Sequence, residues 1–236
     1  MMRSLLTLLA ACGLLLLAGS AGAAENSVDW PGRAGRYVFE ITRDGKPIGT
    51  QIVSVQQNGE TVIAITESKI AVEMLGITVY RMHQVLTETY QGKRLMRLKA
   101  ETKDPDGLRA GEITRDGDHW TGKMGKQRRA FDCDCMTSTM WHIGSMTGTT
   151  MIEASQARTR AITIEDKGPE ILDLPEGKVE THHFLVKGEI ERDVWYDQTG
   201  NLVSARQTGS DGSVIRQTLM SDPTASRETG DEASQP

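Results

Sequence analysis

Apolar and polar side chains alternate with period two through most of the chain beyond residue 36. Tyr37, Phe39 and Ile41 share one face, and Glu40 and Thr42 take the other. Such alternation marks a strand with one buried and one solvated face. Asp44-Gly45-Lys46-Pro47 ends that run, and residues 48–55 begin the next. Asn58-Gly59 marks another hairpin, because both residues accept the positive φ that tight turns demand. Further runs cover residues 61–74, 77–90, 93–103 and 108–114, with Gly76, Gly92, Asp106-Gly107 and Asp116-Gly117 at their ends. No helical period is sustained anywhere in this stretch, which predicts an antiparallel meander.

The last third repeats the style at 161–165, 179–187, 190–196, 202–207 and 214–219, with turns at Thr199-Gly200 and Asp211-Gly212. In the run from 190, Ile190, Val194 and Tyr196 share a face with Arg192, while Glu191, Asp193 and Asp197 lie around Trp195 on the other. About 11 strands at this spacing favour a barrel or a strongly curved sheet, since a flat open sheet of that size is disfavoured. The expected fold is all-β and mainly antiparallel: a curved meander sheet or barrel-like domain with at most one short helix. Residues 136–147 (MTSTMWHIGSMT) break the rhythm. Thr137 or Ser138 could cap a short helix there; alternatively the segment is a loop whose Trp141 plugs one end of the sheet. The hexapeptide Glu40 to Gly45 recurs as Glu112 to Gly117. The flanking residues do not align, so shared turn chemistry explains the echo better than duplication.

The first 24 residues carry an address. Arg3 precedes an apolar run from Leu5 to Ala18, and Ala21-Gly22-Ala23 supplies an A-x-A exit. This is the layout of a secretory signal peptide, and the run is shorter than the roughly 20 residues a membrane span needs. Cys12 resembles a lipoprotein acceptor, but Leu14 to Leu17 continue the apolar run beyond it, which argues for release over lipid anchoring. The expected organisation is a signal peptide at 1–24, one β domain at 25–220 and a disordered polar tail at 221–236. The expected location is periplasmic or secreted, with no transmembrane segment in the mature chain.

Charge narrows the partners. The chain has 27 basic and 32 acidic residues, and losing Arg3 with the leader makes it more acidic still. Neither nucleic acid nor an anionic membrane surface suits that balance. Aromatics make up only 5% of the residues, which fits a modest core on one or two sheet faces.

Candidate chemistry is sparse. Gly117 to Lys123 fits the first seven positions of a phosphate-binding P-loop, but Met124 stands where magnesium needs a hydroxyl and no helical run follows. Cys133-Asp134-Cys135 is the most unusual local feature, and an oxidising compartment favours pairing its cysteines. On a straight strand their Cα atoms would lie about 6.5–7 Å apart, so a disulfide implies a bend. Cys133, Cys135, Met140 and His142 also form a candidate soft-metal set suited to Cu(I), or a thiol-redox centre. Met136 and Met146 lie close by, although methionine is also a common core filler. His182 and His183 point to opposite faces of a strand and cannot share one metal. Nothing in the spacing argues for a Cys135–His183 nucleophilic pair. No catalytic signature occurs, no catalytic residue is assigned, and no cofactor is expected.

Asp44-Gly45-Lys46-Pro47-Ile48-Gly49, Val194-Trp195-Tyr196-Asp197 and Gly200-Asn201-Leu202-Val203, with the central Thr139-Met140-Trp141, resemble a family of secreted Gram-negative proteins classed as a domain of unknown function. The resemblance covers most of the chain beyond the leader and implies an exported, mostly antiparallel β domain. It brings no activity or ligand, and Cys133-Asp134-Cys135 is not part of its pattern. The expected function is therefore non-catalytic binding of an apolar or lipid-like ligand, or of an envelope partner protein, on the concave face of the sheet.

Overall fold

The computed structural model describes residues 30–74, 76–189 and 191–221. The leader with Cys12, Ile190 and the tail beyond 221 lie outside the described residues. Fifteen strands are present among them. The first eight are β1 (Gly35–Arg43), β2 (Lys46–Asn58), β3 (Thr61–Met74), β4 (Ile77–Gln91), β5 (Arg94–Asp104), β6 (Gly107–Asp116), β7 (His119–Met124) and β8 (Gln127–Asp132). The rest are β9 (Met136–Thr137), β10 (Thr150–Glu153), β11 (Arg158–Leu174), β12 (Gly177–Gly188), β13 (Arg192–Tyr196), β14 (Leu202–Thr208) and β15 (Val214–Ser221). One turn of 3₁₀ helix, Ile143–Ser145, follows β9. The short helix considered from Thr137 or Ser138 does not form, and His142 caps the 3₁₀ turn instead.

All fifteen strands form one sheet in the order β8-β7-β6-β5-β4-β3-β2-β1-β15-β14-β13-β12-β11-β10-β9. Each pairs antiparallel with its neighbour except β9 with β10, which is parallel. First and last strands therefore meet in the middle, and the two sheet edges, β8 and β9, are consecutive in the chain. A flat sheet of fifteen strands would be about 65 Å wide. Yet Leu98, Ile113 and Trp120 from one half share a single buried cluster with Met151, Ile162 and Val194 from the other. Only a sheet curled on itself brings these together. Register shifts in β1, β3, β4, β11 and β13 supply part of the coiling.

Close backbone contact tightens the curl between β6 and β7. A Cβ on Gly122 would lie 2.2 Å from the Glu112 carbonyl oxygen, and one on Gly111 would lie 2.1 Å from that of Lys123. The glycine of the P-loop-like string is thus a β7 residue pressed against β6. Both copies of the Glu-Ile-Thr-Arg-Asp-Gly echo end a strand at an Asp-Gly turn, as shared turn chemistry requires.

The structure has more strands than the alternation predicts, and β7 to β10 are the additions. β7 sends only Trp120 and Met124 into the core, and β9 has only two residues. Such strands leave little period-two signal. Two hairpins run past the sheet as two-stranded ribbons. The ends of β3 and β4 pair only with each other over Ala71–Met74 and Ile77–Arg81, and the β11–β12 tip does the same.

Candidate functional site

One end of the curled sheet is plugged. After β9 the chain turns inward, helped by Met140 at φ 47°, and buries Met140, Trp141 and His142. Tyr196 Oη donates to the Met140 carbonyl at 2.9 Å. The Leu202 amide donates to the Trp141 carbonyl at 3.1 Å, and the Ile143 amide to that of Gly200 at 2.8 Å. Thr139-Met140-Trp141, Val194 to Asp197 and Gly200 to Val203 are distant in sequence and converge on this plug. Their role here is architectural.

The plug ends on a buried acid. Glu88 is 1% exposed. Its Oε2 accepts from Trp141 Nε1 and from Tyr90 Oη, both at 2.9 Å, and its Oε1 accepts from Thr139 Oγ1 at 2.8 Å. Burial pushes the carboxyl above its ordinary value, against the pull of hydrogen bonds from Thr137, Thr139, Tyr90 and Trp141. Trp30 packs over this group, with its ring 5.2 Å from Tyr90 and 5.3 Å from both Trp141 and His142. His142 Nδ1 accepts from the Gly144 amide at 2.9 Å while Nε2 faces the Thr199 carbonyl at 3.2 Å. That pairing selects the neutral Nε2–H tautomer.

The candidate soft-metal residues have other partners. Cys133 and Cys135 are joined as a disulfide with Cα atoms 5.3 Å apart, and the backbone at 133–135 leaves the strand conformation. Met140 sits in the hydrophobic core, and both His142 nitrogens face backbone groups. Among the described residues no three His, Cys, Asp or Glu side chains group as metal ligands would. The disulfide instead lies in the connection between the two sheet edges. Close by, Arg129 Nε of β8 reaches across to the Gln156 carbonyl at 3.0 Å. His183 stacks on Trp195 at 4.4 Å on the outer face, and the half-exposed His182 stacks on Phe184 at 4.8 Å and pairs with Asp166.

The opposite end of the curled sheet holds a cavity of about 160 Å³. Gln51, Ser68, Gln84 and Thr102 form one polar row across β2 to β5, each directly opposite the next. Ser68 Oγ donates to Gln51 Oε1 at 3.1 Å, and Gln84 Nε2 donates to Thr102 Oγ1 at 2.9 Å. One residue pair further out, Ile70 and Met82 give the same wall an apolar step. Arg192, Gln207 and Gln217 line the cavity from β13 to β15. Exposed apolar side chains stand elsewhere: Ile77, Val79 and Tyr80 on the β3–β4 ribbon, Leu108 after the β5–β6 turn and Val214 before Ile215, with Val79 beside Glu40 and Thr50 and Val214 beside Asp193 and Arg206.

Sequence reasoning placed Arg192 on the face of Val194 and Tyr196 but gave it no role, and it missed the glutamines. The available signal was a polar residue at an inward position: Gln217 between Ile215 and Leu219, or Glu88 between Leu86 and Tyr90.

Among the described residues no helix is long and apolar enough to cross a membrane. No curated protein matches the chain. Among solved structures, a β-barrel-like protein of the DUF1849 domain of unknown function from Brucella abortus superposes with a TM-score of 0.59 at 13% identity, covering 78% of this chain and 94% of its own. A DUF1089 family protein from Pseudomonas aeruginosa aligns at 12% identity over 65% of this chain and 87% of its own, with a TM-score of 0.37. The first likeness extends to the fold alone, and a curled, barrel-like antiparallel sheet is the common architecture. Residues 39–220, which span the plug and the cavity together, match one family, and the chain belongs to it: Domain of unknown function (DUF6134).

Proposed function

We propose that this protein is an exported, non-catalytic binding domain of the Gram-negative cell envelope, with its ligand seat in the cavity at the unplugged end. One observation carries the reading. A single curled sheet is sealed at one end by Trp141 and keeps a cavity with polar and apolar walls at the other. Its lining sets Arg192 and the glutamines against Ile41, Ile70, Met82 and Ile215, and convergent polar groups beside apolar ones fix the orientation of a bound ligand. Export rests on Arg3, the apolar run from Leu5 and the Ala21-Gly22-Ala23 exit. The Cys133–Cys135 disulfide suits the oxidising compartment to which such a leader delivers a chain.

Size limits the occupant. A cavity of this volume is close to one of about 150 Å³ that holds benzene, so a whole phospholipid does not fit. A short amphiphile does, with its apolar atoms against Ile41, Ile70, Met82 and Ile215. Native mass spectrometry of the protein isolated from periplasm tests this reading. An added mass of a small amphiphile is expected, and Ser68→Phe, which fills the cavity, should remove it. A bare mass, together with no NMR shifts at Gln217 or Ile215 on adding medium-chain amphiphiles, would overturn the proposal.

A further inference from the structure

Among the described residues Arg192 has no acidic partner. Its Nε and Nη2 donate to Gln207 Oε1 at 2.9 and 2.5 Å, and its Nη1 donates to the Ser138 carbonyl at 2.9 Å. All these acceptors are neutral, and a guanidinium has further N–H groups to give. The adjacent Asp193 points to the outer face, where it pairs with Arg206 and His183. Charges removed from water without a partner are costly, so a lining guanidinium of this kind favours an anion.

A second group asks for the same thing. Gln217 Nε2 is buried and has no hydrogen-bond acceptor among the described residues. Gln217 lies opposite Ala205, which in turn lies opposite Val194, two residues from Arg192. Both side chains line the one cavity. Unused donors on β13 and β15, which flank β14, thus line one cavity, and among the described residues no acidic side chain lines it.

We infer that the cavity seats the carboxylate of a short amphiphile, which Arg192 binds through its guanidinium while Gln217 donates from its amide. This rests on the cavity being a ligand seat, as proposed above. Carboxylate suits the site because its oxygens match the guanidinium fork and carry a single charge. Phosphate would bring more charge than one cation balances, since Arg206 is already paired with Asp193. On the facing wall the polar row of Gln51, Ser68 and Gln84 lies one step deeper than Ile70 and Met82. A ligand entering head first would leave its hydrocarbon against Ile70 and Met82.

Calorimetric and NMR titrations of the full chain with octanoate, octanol and octyl phosphate test the inference. Octanoate is expected to bind about tenfold or more tightly than octanol, the difference a charge-assisted pair supplies. Arg192→Gln should remove that preference, so that octanoate binds no more tightly than octanol. If that variant does not fold, Gln217→Leu, which replaces an unpaired donor with an apolar group of similar size, should still weaken octanoate selectively. Octanoate and octanol binding equally, or octyl phosphate binding more tightly than octanoate, would overturn the carboxylate assignment and leave the cavity reading intact. No binding by any of the three would sink the cavity reading itself.

Discussion

Trp141 and Glu88 stand 53 residues apart in the chain and share a hydrogen bond of 2.9 Å at the plugged end. The bond ties the irregular segment after β9 to the open end of the β3–β4 hairpin, close to the last residue of β4. Glu88 also accepts from Tyr90 and Thr139, so one carboxylate satisfies three donors that the plug would otherwise bury unpaired. An unmet buried donor costs about 1–3 kcal/mol. The acid is thereby the fastening of the plug, even though burial disfavours its charge.

That tension has a pH signature. Burial raises the folded-state pKa of Glu88 above its ordinary 4.5, so the folded state holds the proton more tightly than the unfolded chain. This contribution to stability is fully present below pH 4.5 and is lost as pH rises through the raised value. Glu88→Gln keeps an acceptor without a charge, and its urea stability should be flatter across that window than the parent's. Glu88→Leu strands the three donors and should cost about 4 kcal/mol. Equal pH profiles for parent and Glu88→Gln would show that Glu88 does not set the dependence.

Tyr196 makes a separate test of the plug. Its phenol is fully buried, and burial holds it well above its ordinary pKa, so it remains a donor to the Met140 carbonyl at 2.9 Å. Tyr196→Phe keeps the ring and removes that donor. A loss of about 1–2 kcal/mol is expected, with NMR shift changes concentrated at Met140 and Trp141. Changes concentrated at β7 and β8 instead would contradict this account of what the hydroxyl supports.

The β6–β7 curl predicts a larger effect from a smaller substitution. Gly122→Ala places a methyl 2.2 Å from the Glu112 carbonyl, where backbone and not a flexible side chain must yield. A loss of about 3 kcal/mol or more is expected, against a smaller loss of about 1–2 kcal/mol at Gly59, where the left-handed φ of 59° strains an alanine but a Cβ meets nothing within 4 Å. Chemical denaturation of the two alanine variants compares them directly, and equal midpoints would refute the close-contact argument.

These features differ in how far the sequence betrays them. Tyr37, Phe39 and Ile41 announce their strand because one face of it is solvated, and period two follows from that alone. Residues 136–147 break the alternation, which marks the segment as irregular but leaves a short helix and a Trp141 plug equally open. β7 and β8 were not legible, since Trp120, Met124 and Phe131 are too few inward residues to make a pattern. Arg192, Gln217 and Glu88 were the hardest to see. Each is polar at an inward position, and only the curl of the whole sheet decides whether such a residue meets solvent, a cavity or a hydrogen-bonding partner from a remote segment. The closing of β1 on β15 is likewise a long-range event with no local signal.

The disulfide yields the last prediction. Cys133 and Cys135 enclose a single residue, so their bond restricts little of the unfolded chain and contributes about 1–2 kcal/mol by loop-closure entropy. Its place is more telling than its strength, because residues 133–135 carry the chain from edge strand β8 to edge strand β9. Across the seam, Arg129 Nε of β8 also donates to the Gln156 carbonyl beyond β10. Cys133→Ser with Cys135→Ser should therefore lower the urea midpoint modestly while raising amide exchange mainly in β8 and around Gln156. The cavity lies among β1 to β4 and β13 to β15, away from this seam, and its ligand affinity should be unchanged. Uniformly faster exchange through β1 to β5 would mean that the bond holds the whole sheet closed and not merely its edges.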